Sequence, residues 1–141
     1  MLEAKGNLWM FPADYRIITT NGTVKKNGES VMGAGCAAEA KRKYPHLAKD
    51  LGEMVSVAGN RVWTFPNYGL ISFPVKHNWW ERADPELISA SVYSLSCMAV
   101  NSLSSATFVM PRPGCGNGKL SWDDVRPLCL SLPDNVTVIT F

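Results

Sequence analysis

Cysteine, histidine and charge are all sparse in this chain of 141 residues, and each scarcity removes a class of function. The four cysteines, Cys36, Cys97, Cys115 and Cys129, form no CxxC pair, and neither His46 nor His77 stands at ligand spacing from them. No metal site or other cofactor is expected on that pattern. Lys and Arg number 14 against 12 Asp and Glu, a net charge of +2. That is too little to hold nucleic acid by bulk charge, so any such contact has to be local. The longest apolar stretches, such as Leu70 to Val75, which Ser72 interrupts, and Cys97 to Val100, fall far short of the roughly 20 residues of a membrane span. The opening MLEAKGNLWMFPAD has no basic stretch leading into an apolar one, which reads as a cytoplasmic protein with reduced thiols and no membrane partner. Walker and GxGxxG spacings, a Ser-His-Asp pattern and paired carboxylates are missing too.

What is present is 46% hydrophobic and 18% charged residues, the balance of one folded domain over residues 1–141, with no repeat or linker to divide it. Strands are expected at Glu3 to Met10, Tyr15 to Thr20, Val62 to Thr64, Gly69 to Phe73, Thr107 to Met110 and Val136 to Thr140, several rich in β-branched or aromatic residues. Helices are expected at Cys36 to Lys43, His46 to Ala58, Pro85 to Ser102 and Trp122 to Leu130. Asp84 before Pro85 reads as an N-cap with proline at the first helical position, and Ser121 with Asp124 as a capping pattern. Leu87, Ile88, Val92, Leu95, Met98 and Ala99 recur at three- and four-residue steps, one apolar stripe to lay on a sheet. The alternation of strands and helices predicts an α/β layered domain, with any ligand at the loops leaving the strand ends.

Two of those loops are rich in glycine. Asn21-Gly22 through Met32-Gly33-Ala34-Gly35-Cys36-Ala37 and Pro111-Arg112-Pro113-Gly114-Cys115-Gly116-Asn117-Gly118 each run from a strand to a helix. A single GxG is more often a tight turn than a binding loop. Two at equivalent places shift the reading toward a diphosphate, because glycine lets backbone N–H groups gather round an anion at a helix N-terminus. Cys36 and Cys115 lie inside these loops, where a helix N-terminus can activate a thiol, although small-residue packing is the expected role. In Leu70-Ile71-Ser72-Phe73-Pro74-Val75-Lys76-His77-Asn78-Trp79-Trp80-Glu81-Arg82, a lysine follows directly on a buried strand. A strand end aims side chains into a site, where an amine can serve as nucleophile or base. On the residues alone, a solvated loop lysine with tryptophans packed over a helix end is the plainer reading.

In order, TTNG from Thr19, VMGAGCAAEAKRKYP from Val31, LISFPVKHNWW from Leu70 and MPRPGCGNGKLSWDDVRP from Met110 resemble the macro domain family over nearly the whole chain. Within it, the chain is most similar to the branch of the DarG-type DNA ADP-ribosyl glycohydrolases, including the DarG antitoxin that removes ADP-ribose from thymidine in DNA, and the terminal ADP-ribose protein glycohydrolases. Small phage-encoded macro domains are similar too, which would put the protein in the host cytoplasm. The resemblance implies a three-layer α/β/α sandwich with a mixed sheet and an ADP-ribose cleft at the C-terminal ends of the strands.

Carried over by residue, Asn21 would hydrogen-bond the distal ribose. Gly33, Ala34 and Gly35, between Met32 and Cys36, would form a first loop under the diphosphate, and Pro113, Gly114, Cys115, Gly116, Asn117 and Gly118 a second. Asn7, followed by Leu8, stands where many macro domains bind the adenine amino group through an aspartate; an amide oxygen accepts the same bond. Phe141 is expected to end the last strand as a core residue, with stacking on adenine the alternative. Lys76 matches the lysine of the FPxK motif, the catalytic lysine of the branch. Gly118 replaces an aspartate found in the protein-glutamate-specific relative, which points to nucleic acid. The implied function is a hydrolase that removes ADP-ribose from modified nucleic acid, with Lys76 as nucleophile or general base and Asn21 orienting the ribose. Trp79, Trp80 and Arg82 are the candidate contacts to single-stranded DNA; burial of at least one tryptophan under the loop is the alternative, so only one of the pair is expected to touch the DNA. The alternatives are a non-catalytic ADP-ribose reader, an ADP-ribose 1″-phosphate phosphatase and a structural interaction module. A monomer is expected.

Overall fold

The computed structural model describes all of residues 1–141. Six strands form one sheet: β1 (Leu2–Lys5), β2 (Tyr15–Asn21), β3 (Trp63–Phe65), β4 (Leu70–Lys76), β5 (Phe108–Pro111) and β6 (Val136–Thr140). Their order across the sheet is β1-β6-β5-β2-β4-β3. Every neighbouring pair is parallel except β3 with β4, so the sheet is mixed. Four helices cross over between strands: α1 (Gly35–Lys43), α2 (Leu47–Ala58), α3 (Pro85–Val100) and α4 (Trp122–Cys129).

The alternation of side chains along each strand sorts the core into two layers. Ile17, Ile71, Phe73, Val75, Phe108 and Met110 face Ile88, Val92, Leu95 and Ala99 of α3 and Val125 and Cys129 of α4. Ile18 and Leu70 face the other way, onto Ala37 and Ala40 of α1 and Leu47, Ala48 and Leu51 of α2. The result is helices on both faces of the sheet, the α/β/α sandwich that the sequence predicts. Each fully buried Ile or Leu contributes about 1.5–3 kcal/mol by leaving water. In β4 the residues Leu70 through Val75 are all buried, which explains an apolar run broken only by Ser72.

Most predicted ends shift by only a few residues; helix α3, for example, stops at Val100 rather than Ser102. Asp84 caps α3 as predicted, accepting from Glu86 N–H at 3.0 Å. Ser121 caps α4 by accepting from Asp123 N–H at 3.3 Å. The larger correction is at the first strand, which ends at Lys5 instead of continuing to Met10. Asn7 turns the chain there: its Oδ1 accepts from Trp9 N–H at 2.8 Å and its carbonyl from the N–H groups of Met10 and Phe11. The Arg16 guanidinium then holds the turned segment, donating to the carbonyls of Leu8, Phe11 and Ala13.

Candidate functional site

The parallel strands bring their C-terminal ends to one edge, and strand order sets what stands beside what. At the β1–β6 end are Asn7, Leu8 and Phe141; next comes the loop after β5; then β2 with its loop; then β4 with Lys76 and Trp79. A cleft of about 600 Å³ runs along this edge and is lined by residues from each of these segments. That volume suits a ligand of dinucleotide size.

The glycines of the two loops divide by what surrounds them. Gly35 and Gly114 have φ of +59° and +75°, the left-handed region that L side chains avoid, and so do turn work. A Cβ on Gly118 would lie 2.5 Å from the Gly114 carbonyl oxygen and 2.8 Å from Ala83 Cβ, so that glycine closes the second loop on itself. A Cβ on Gly22 would meet the His77 carbonyl oxygen at 2.7 Å. Gly33 and Gly116 differ: nothing lies within 4 Å of a Cβ at either, and both line the cleft. The fold itself does not require glycine at those two positions, whereas a ligand lying against the backbone would. Helix α1 begins between them with Ala34 as N-cap, no side-chain cap and no acidic residue in its first turn. Its first N–H groups and the positive end of its dipole thus favour an anion.

Asn21 and Lys76 are 55 residues apart in the chain (76 − 21) and become partners across the β2–β4 ladder. The register steps from Thr20 opposite Pro74 to Asn21 opposite Lys76, passing over Val75. Pro74 has no N–H to give the ladder, which is where a central strand slips register. The segments beyond are tied together: Gly22 N–H donates to the His77 carbonyl, Trp79 N–H to Thr23 Oγ1 at 3.1 Å, and Asn60 Nδ2 to the Lys76 carbonyl at 3.0 Å. The Asn21 amide donates to the Val31 carbonyl at 2.9 Å and accepts from Thr23 N–H at 3.0 Å, fixing the approach to the first glycine loop. One N–H and one lone pair of that amide remain for a ligand. Lys76 is half-buried on the cleft wall, with Nζ donating to the Trp79 carbonyl at 3.3 Å.

Comparison with solved structures agrees with this geometry. The macrodomain of Thermus aquaticus DarG superposes with a TM-score of 0.77 at 25% identity, covering 99% of this chain and 96% of that one. The chain belongs to the macro domain family. The Mycobacterium tuberculosis DarG macrodomain has the same fold, with a TM-score of 0.76 at 24% identity over 98% of this chain and 95% of that one. Among curated proteins, the DNA ADP-ribosyl glycohydrolase of Mycobacterium tuberculosis is 30% identical over 128 residues, 80% of this chain and 36% of the relative. The chain therefore spans about a third of the length of the curated relatives it matches. No family model matches it.

In this macro domain the ligand-binding residues expected from the sequence mostly line the cleft: Asn7, Leu8, Asn21, Met32 through Cys36, Gly114, Gly116, Asn117, Gly118 and Lys76. Pro113 and Cys115 do not. Pro113 is buried, and Cys115 packs against the core with Sγ donating to the Pro113 carbonyl. The thiols are not activated either. Burial pushes Cys36 and Cys115 up from the usual thiol range, and Cys129 up to about 12. Phe141 is 94% exposed at the mouth of the cleft, which overturns its expected place in the core. The tryptophans also depart from expectation: Trp79 and Trp80 are 54% and 64% exposed, so neither is buried.

Sequence reasoning missed Trp9 and Arg112 on the cleft wall. Trp9 carries Lys43 Nζ 5.1 Å from its ring, and Arg112 lies 5.0 Å over Trp122. The Pro-Arg-Pro opening of the second loop was the available signal for Arg112, since prolines on both sides restrict where its side chain can go. Trp9 gave none, because its apolar neighbours read as strand.

Proposed function

We propose that this macro domain binds ADP-ribose along the cleft and hydrolyses its bond to a base in DNA, thymine being the acceptor that the motif resemblance implies. The observation that carries the reading is the pairing of Asn21 with Lys76 at one end of a cleft whose middle is left open at Gly33 and Gly116. The names of the relatives, DNA ADP-ribosyl glycohydrolases and DarG macrodomains, support the same assignment. Adenine lies at the end formed by Asn7 and Phe141, where an amide and an exposed ring supply polarity and stacking. The diphosphate takes the N–H groups of the two loops, and the distal ribose reaches Asn21 and Lys76.

Placing the anomeric carbon beside a fixed amine lowers the barrier mainly by orientation. In the net reaction the bond from that carbon to the base nitrogen breaks; water gives its hydroxyl to the carbon and its proton to the base. Lys76 serves in one of two ways. Its amine attacks the carbon while its proton passes to the departing base, and water then resolves the adduct; or it takes the proton of the attacking water. Trapping with borohydride distinguishes them, since only the first gives a lysine adduct that, as its ribose ring opens to the imine, is reduced to leave sugar on Lys76. Parallel incubation with ADP-ribosylated single-stranded DNA, ADP-ribosylated protein and ADP-ribose 1″-phosphate tests the substrate. Release of free ADP-ribose fastest from DNA is expected. Faster release of phosphate would make the protein a phosphatase, and binding of all three without turnover would make it a reader.

A further inference from the structure

A second hollow, of about 250 Å³, opens beside the cleft and shares Lys76, Trp79 and Asn117 with it. Those three residues form the sill between the two spaces, so the hollow lies directly beside the end of the cleft where Lys76 stands. Its remaining walls are Trp80, Glu81, Arg82 and Lys119. The two indoles meet edge to face, with ring centres 5.9 Å apart and planes at 88°, and more than half of each is exposed. Arg82 Nη2 donates to the Lys119 carbonyl at 2.9 Å, which fastens the tryptophan loop to the second glycine loop. Around the hollow stand three cations, Lys76, Arg82 and Lys119, and one carboxylate, Glu81, whose Oε1 already accepts from Asn78 N–H and Nδ2.

We propose that this hollow seats a nucleotide next to the modified one in single-stranded DNA, with its base on Trp80 and its phosphate between Arg82 and Lys119. The proposal rests on the hydrolase reading and adds to it the part of the substrate beyond the scissile bond. Flat rings offer stacking to any base, and a guanidinium with a neighbouring ammonium suits a phosphodiester. An acidic peptide would use the cations but leave the indoles unoccupied. A duplex would keep its bases stacked on each other and out of reach of Trp80.

The test compares wild type with Trp80→Ala, Arg82→Ala and Lys119→Ala on two substrates, an ADP-ribosylated single-stranded oligonucleotide and the ADP-ribosylated nucleoside alone. These side chains are exposed and belong to the hollow but not to the main cleft, so turnover of the nucleoside should be unchanged in Trp80→Ala and Lys119→Ala; Arg82→Ala, which also frees the Lys119 carbonyl, is judged by the ratio of its losses on the two substrates. Each variant should lose about tenfold in kcat/KM on the oligonucleotide. Trp80→Phe should restore most of the loss, and added salt should narrow the oligonucleotide's advantage in wild type more than in the Arg82 or Lys119 variants. Equal kcat/KM of wild type on the two substrates, or equal losses on both in the variants, would overturn the proposal. If neither substrate is cleaved, the hydrolase reading fails by itself, and the hollow is judged by affinity. Wild type binding the ADP-ribosylated oligonucleotide no more tightly than free ADP-ribose would then reject it; tighter binding that Trp80→Ala abolishes would uphold it.

Discussion

Gly116 and Gly118 sit two residues apart in one loop and answer to different neighbours, one to open space and the other to its own backbone. Gly116→Glu should therefore weaken ADP-ribose binding on the order of a hundredfold, by placing a charge near the diphosphate. Its melting temperature should stay within about 2 °C of wild type, since a Cβ at this position meets no protein atom within 4 Å and opens onto the cleft. Gly118→Ala should do the reverse at the level of stability, costing about 1–3 kcal/mol in denaturant unfolding because its Cβ would press on the Gly114 carbonyl. Calorimetric titration and unfolding of the same two variants check both halves. At Asp84, the hydrogen bond with His77 first, then Glu86 N–H, holds the carboxyl below the usual aspartate range. Such a group stabilises the fold fully above its unfolded value and loses that contribution as the pH falls through the lower folded value. Wild type should thus exceed Asp84→Asn in stability above about pH 4, and the two unfolding curves should converge in stronger acid. A constant gap across that range would show that the charge of Asp84 contributes nothing.

At the scale of elements, the segments with strong internal signals were legible: β4 from an apolar run broken only by Ser72, β6 from five consecutive β-branched residues, and α3 from a proline start and an apolar stripe. The first strand was overextended because Leu8, Trp9 and Phe11 are apolar for a different reason. They pack beneath a turn that Asn7 and Arg16 hold, a contact between segments that periodicity does not carry. The glycine loops were visible as loops, yet which glycine serves the turn and which serves a ligand depends on distances to Gly114, Ala83 and Asn117, and only the fold fixes those. In the loop after Lys76, Trp79 is held by its backbone, its N–H donating to Thr23 Oγ1 and its carbonyl accepting from Lys76 Nζ, while the rings of Trp79 and Trp80 are both exposed. No property of the residue type distinguishes that case from burial.

Across the whole molecule, the order β1-β6-β5-β2-β4 lines up along one cleft an aromatic end, two glycine loops and a lysine. The chain meets these in the order Asn7, Asn21, Gly33, Lys76, Gly116 and Phe141, so the sequence holds all the parts while the sheet alone sets their sequence in space. The pairing of Asn21 with Lys76 belongs to this scale, for it needs two strands and the register step at Pro74. In the proposed reading binding and reaction are separable, since the loops assigned to anchor the ligand are distinct from the amine assigned to act on it. The most direct measurement is therefore made on Lys76→Ala with ADP-ribosylated single-stranded DNA, following ADP-ribose release and ADP-ribose affinity together. The account predicts that release falls by at least about a thousandfold while affinity changes less than about threefold. Release at the wild-type rate from the purified, folded variant would contradict it.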